Sequence, residues 1–251
     1  MTKRGVVASA LAAAIAVACV KITDNSTTVL SIQFDSLPSP SVVLGDSLRD
    51  TAGKVTAPTV RAFNYQGEEI VAPPVVFYAP DRGISVDSVT GVVTADSLRS
   101  TPARIVATVG GLQAVRTIDV TLRPDLVVAL RGRDTLQYSR VDTTVNVSDQ
   151  LTIKVTHGTA PADSAVRSYV VSFSIVSGGD SRLADLVNGG TVSAVDTTDA
   201  SGVAGRALKI RPVYLPADVD SVIVNATVKY RGTPVSGSPV RLVVVVQPLN
   251  P

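Results

Sequence analysis

The stretch Ala103-Arg-Ile-Val-Ala-Thr-Val-Gly-Gly-Leu-Gln-Ala-Val-Arg-Thr-Ile-Asp-Val-Thr-Leu122 decides the fold. Ala103, Ile105, Ala107 and Val109 alternate with Arg104, Val106 and Thr108. That period of two puts one set of side chains in a core and the other mostly in water. Gly110-Gly111 supplies the positive φ of a tight hairpin, and the chain returns as a second strand.

Runs of the same kind, separated by turn residues, extend in both directions. In the first half they predict strands over 29–34, 41–44, 59–64, 75–79, 84–86, 92–95, 103–109 and 112–122. The pattern restarts after Arg123-Pro124, with strands over 125–130, 151–157, 169–176, 191–195, 203–210, 221–230 and 238–246. Valine occurs 45 times, and β-branched side chains suit a pleated surface better than a helix. Fifteen Pro and eighteen Gly interrupt any long helix beyond the N-terminus. The expected fold is all-β: two tandem immunoglobulin-like β-sandwiches over 29–123 and 124–248, each long enough for its own core. A two-residue junction leaves little room for independent tumbling of the two halves.

Two segments carry a family resemblance. Ile84-Ser-Val-Asp-Ser-Val-Thr-Gly-Val-Val-Thr-Ala95, followed by Ala103-Arg-Ile-Val-Ala-Thr-Val-Gly110, resembles the group 2 bacterial immunoglobulin-like domain, with Phe77 where that family usually has Trp. Val195-Asp-Thr-Thr-Asp-Ala-Ser-Gly-Val-Ala204 and Val222-Ile-Val-Asn-Ala-Thr-Val228 resemble the group 1, invasin/intimin-type domain. The resemblance implies sandwich modules of bacterial envelope proteins that act as spacers, adhesive stalks or accessory domains rather than as catalysts.

The N-terminus reads as an address. Lys3 and Arg4 precede an uncharged, Ala-rich run from Gly5 to Val20, which predicts a short hydrophobic helix. Sixteen residues at ~1.5 Å each reach about 24 Å, short of a hydrocarbon core of about 30 Å. Ile15-Ala-Val-Ala-Cys19 resembles a bacterial lipobox, in which the Cys becomes the lipidated first residue. Lipidation at Cys19, plain cleavage after Ala18, and retention as an uncleaved anchor all leave the rest of the chain outside the cytoplasm. The expected layout is an anchor over 1–19, a tether over 20–28, then the sandwiches, in the bacterial envelope on the periplasmic side.

Charge and composition exclude several classes of function. The formal charge is +2, and both excess cations are Lys3 and Arg4. Residues 20–123 carry nine basic and ten acidic groups, and 124–251 carry twelve and eleven. A neutral, mixed surface is a poor match for nucleic acid or anionic lipid. One Cys and one His exclude a disulfide framework and a multi-His metal centre, so no cofactor is expected. The single His157 has Asp163 and Ser164 six and seven residues on, without a nucleophile elbow. Glu68 and Glu69 are adjacent, so on a strand they would face opposite ways. Asp196 and Asp199 are weak calcium candidates in an oxygen-rich loop. Trp is absent, which disfavours the flat aromatic platforms of a lectin.

What remains is surplus valine. If Val171, Phe173, Val222, Val224, Leu242 and Val244 point inward, then Val170, Ile223, Val243 and Val245 point outward and form a partner-docking face. The expected function is a non-catalytic, membrane-tethered protein. It would brace an integral membrane protein complex, whether photosynthetic, respiratory or secretory. The alternative is a cell-surface adhesin or stalk module, and after that a sandwich-fold lectin or hydrolase.

Overall fold

The computed structural model describes residues 28–158, 160–176, 182–215 and 219–249. The anchor segment with its expected helix, Cys19, and the tether up to residue 27 lie outside the described residues.

In the first half the strands are β1 (Ser31–Phe34), β2 (Ser41–Val43), β3 (Val60–Phe63), β4 (Val76–Tyr78), β5 (Ile84–Val86), β6 (Val93–Ala95), β7 (Ala103–Val109) and β8 (Leu112–Thr121). One sheet runs β2-β8-β7-β4, and β1 pairs with β3 and β5 with β6 on the facing side. The 103–122 stretch forms the β7–β8 hairpin, with Val109 opposite Leu112 across Gly110-Gly111. Ala103, Ile105, Ala107 and Val109 are all buried, as their alternation requires. Phe34, Leu48, Phe77, Ile105 and Ile118 fill the core, with the Phe34 and Phe77 rings edge to face at 6.4 Å.

The second half continues with β9 (Leu126–Arg131), β10 (Arg133–Tyr138), β11 (Leu151–His157), β12 (Ser164–Ala165), β13 (Val170–Ile175), β14 (Ala184–Asn188), β15 (Thr191–Val192), β16 (Val195–Thr197), β17 (Val203–Ile210), β18 (Ser221–Thr227), β19 (Lys229–Tyr230), β20 (Thr233–Pro234) and β21 (Val240–Pro248). Its sheets run β10-β21-β18-β13-β16 and β12-β11-β17-β14-β15, with β9 also on β11. The strands expected to be neighbours, β13, β18 and β21, are neighbours. A separate core gathers Leu151, Ile153, Phe173, Leu208, Val224 and Leu242.

Each sandwich ties its two sheets with one chain segment. β9 pairs antiparallel with β11, the chain turns at Gly132, and β10 pairs parallel with β21 in the other sheet. In the first sandwich β1 joins β3 while β2 runs parallel to β8. This split first strand and the β21-β18-β13 order define an immunoglobulin-like arrangement. Four strands, β10, β12, β14 and β20, stand where the sequence pattern predicts none. β10 carries Arg133, Thr135 and Gln137 on an edge of its sheet, where polar residues face water.

Candidate functional site

Two features carry the candidate site: the joint between the sandwiches, and the outer face of the β10-β21-β18-β13-β16 sheet.

At the joint, Asp46 follows the turn after β2, and its side chain is 5% exposed. Its Oδ1 accepts from the Ser47 amide and Arg49 Nη2, and its Oδ2 accepts from Arg49 Nε. The second sandwich adds two donors to Oδ2, the Tyr230 hydroxyl at 3.0 Å and Arg231 Nε at 2.9 Å. Burial alone would raise this carboxyl's pKa. The Arg49 and Arg231 guanidinium groups outweigh it and hold Asp46 far below the ordinary carboxylate range. Burial, with Asp46 beside it, pushes the Tyr230 hydroxyl up.

The backbones meet beside this clamp. A Cβ added at Gly53 would lie 2.1 Å from the Gly232 amide nitrogen, and one at Gly232 would lie 2.8 Å from the Ala52 oxygen. Both glycines also have positive φ, +87° and +81°. Further along, Ser41 Oγ donates to the Ser168 carbonyl at 2.6 Å, and Ser168 Oγ donates to Asp119 at 2.6 Å. Arg167 donates to the Arg99 carbonyl. The linker is pinned too. Asp125 pairs with Arg123 Nε at 2.7 Å and accepts from the Gly158 amide, and His157 Nδ1 lies 2.7 Å from it.

The outer sheet face has two unlike ends. Ile223 lies opposite Val243, and Val245 lies opposite Ser221, with exposed Val176 bonded to the Ile223 carbonyl. These aliphatics are half-buried or exposed, while Val222, Val224, Leu242 and Val244 point into the core. Val170 does not join them. It pairs with Thr197 at the other end of β13, six residues and about 20 Å from Val176. There it lines a cleft of about 470 Å³ between the sandwiches, with Ser172, Thr227 and Lys229. Three of the four expected docking residues therefore form one patch and the fourth lies apart.

The remaining candidates serve the fold. Asp196 pairs with Arg206 at 2.8 Å and accepts from the Gly205 amide. Asp199 closes a turn by accepting from Ser201 and Val203, whose donors hold its pKa down. Their oxygens are occupied by protein donors, so the calcium reading of Asp196 and Asp199 gains nothing. His157 turns to Asp125 instead of Asp163, which lies 4.0 Å from Lys154. Ser164 sits opposite His157 in register because β12 pairs with β11 as an ordinary antiparallel ladder. Sequence reasoning missed Asp46, Tyr230 and the Gly53–Gly232 contact, because each pairing joins turns some 180 positions apart.

Fold and joint together define a tandem of immunoglobulin-like sandwiches locked at their junction. No family model matches the chain, and no curated protein matches it. Among solved structures, domains 5-6 of the S-layer protein SbsC align at TM-score 0.31 and 12% identity, over 88% of this chain and 99% of that one. The D0-D1 domain of intimin aligns at 0.27 and 16%, over 86% and 95%. Human protocadherin-24 EC1-2 aligns at 0.27 and 14%, over 89% and 100%.

Proposed function

We propose that this is a non-catalytic interaction protein of the bacterial envelope, tethered through Cys19 on the extracytoplasmic side. It acts as an accessory subunit that braces an integral membrane protein complex. The observation that carries the reading is the Ile223–Val243 cross-strand pair with Val245 and Val176 beside it. Apolar area removed from water contributes about 25 cal/mol per Å², so a patch of a few hundred Å² supplies several kcal/mol before association costs. The tether supports a membrane-proximal partner: ten residues from Cys19 to Thr28 span at most about 35 Å. The locked joint favours a second reading, a surface stalk, since a spacer must transmit position without bending. Gentle solubilisation of the membrane separates the two. A stoichiometric membrane complex that co-migrates with the protein supports the brace, and migration alone supports the stalk.

A further inference from the structure

The cleft between the sandwiches has a chemistry that the brace does not use. Its volume, about 470 Å³, falls in the range of small-molecule sites, which favour domain interfaces. Two carboxylates and three cations line it: Asp46 and Asp50 against Arg49, Lys229 and Arg231. Both carboxylates are already engaged by protein donors. Asp46 takes the five donors described above, and Asp50 accepts from the Ala52 and Lys54 amides and from Thr56.

The cations differ: Arg49 spends all its guanidinium nitrogens on Asp46 and the Gly53 carbonyl. Lys229 Nζ has no acceptor among the described residues, while Arg231 gives Nε to Asp46 and lays its guanidinium against Tyr230, 5.2 Å from the ring centroid. Around them stand hydroxyls of Ser39, Ser47, Ser172 and Thr227. The floor is fixed by the sheet, since Ser172 and Thr227 are directly paired across β13 and β18. The Tyr169 hydroxyl donates to the Lys229 carbonyl at 2.7 Å, which fixes the Lys229 backbone. The cleft thus offers the free ammonium donor of Lys229, an excess of one positive charge and a row of hydroxyls.

We infer that this cleft is a binding site for an acidic saccharide unit, its carboxylate on Lys229 and Arg231 and its hydroxyls along Ser172 and Thr227. Charge-assisted hydrogen bonds to a carboxylate are the strong kind, and sugar hydroxyls match a hydroxyl-lined wall. The site is independent of the apolar patch at the far end of the same sheet.

The test is a titration of the ¹⁵N-labelled full chain with sodium D-glucuronate, read by amide shifts, beside D-glucose and sodium acetate. The inference expects saturable shifts at residues 49–53 and 227–231 with glucuronate, at least tenfold tighter than with either control. Lys229→Glu should weaken binding by about tenfold or more, the scale of one charge-assisted contact. Lys229→Met gives the same test without charge reversal should the first variant fold poorly. Thr227→Val should weaken glucuronate binding and leave acetate unchanged. Equal shifts for acetate and glucuronate, or no saturable shift, would overturn the inference. So would binding indifferent to both Lys229 variants.

Discussion

The carboxylate of Asp46 accepts the hydroxyl proton of Tyr230 at 3.0 Å, although the two residues stand 184 positions apart. The same oxygen takes Arg231 Nε, so one buried group in the first sandwich holds the turn between β19 and β20 of the second. Removing it leaves Arg49 facing a desolvated gap. Asp46→Ala should destabilise the chain by about 2 kcal/mol, below the full cost of breaking a buried pair because Arg231 is half exposed. It should also let the halves move separately, seen as unequal ¹⁵N rotational correlation times for the two sandwiches where the wild type gives one.

The clamp also predicts a pH dependence. The folded pKa of Asp46 lies below its ordinary 3.8, so the ionised form is the stabilised one. Its contribution is fully present above about pH 4 and is lost as pH falls through the folded value. The melting-temperature gap between wild type and Asp46→Asn should be largest at neutral pH and narrow below about pH 4. Other aspartates are common to both proteins and cancel in the difference.

Gly53 tests the backbone contact. Gly53→Ala places a methyl group 2.1 Å from the Gly232 nitrogen and must push the turns apart. Gly67 shares a positive φ of +78° but has open space around its Cβ. Denaturant unfolding should show a cost of about 1 kcal/mol for Gly67→Ala, from backbone strain alone. Gly53→Ala should cost at least twice as much.

Thr121 Oγ1 is buried with no hydrogen-bond partner among the described residues, beside a smaller cavity of about 240 Å³ that Arg99 and Arg167 also line. An unpaired buried hydroxyl carries a desolvation cost of about 1–3 kcal/mol. The isosteric Thr121→Val should raise the melting temperature, with a gain of about 1 kcal/mol; a loss would mean that the hydroxyl has a partner.

Much of this architecture is legible in the sequence, because period-two alternation is a local signal. All eight strands expected in the first half are present within about two residues of the expected ends. β10 is invisible to that signal: Arg133-Asp-Thr-Leu-Gln-Tyr138 has a single aliphatic, and its pairing comes from β21, far along the chain. The outward parity of Ile223, Val243 and Val245 also follows from alternation. The separation of Val170 does not, since which outward residues sit together depends on register and not on parity. The joint is the least legible part. Asp46, Gly53 and Gly232 look like ordinary turn residues and Ser41 like an ordinary strand residue, and only the docking of the two sandwiches gives them partners.

The central claim is that the aliphatic end of the outer sheet face docks on an integral membrane complex. The direct measurement is co-purification from gently solubilised membranes of the wild type and of the double variant Val243→Asp, Val245→Asp, with the melting temperature of each. The account predicts a stoichiometric complex for the wild type and its loss in the double variant, which keeps a cooperative thermal transition. Unchanged co-purification of the double variant, or a wild-type protein that migrates alone, would contradict it.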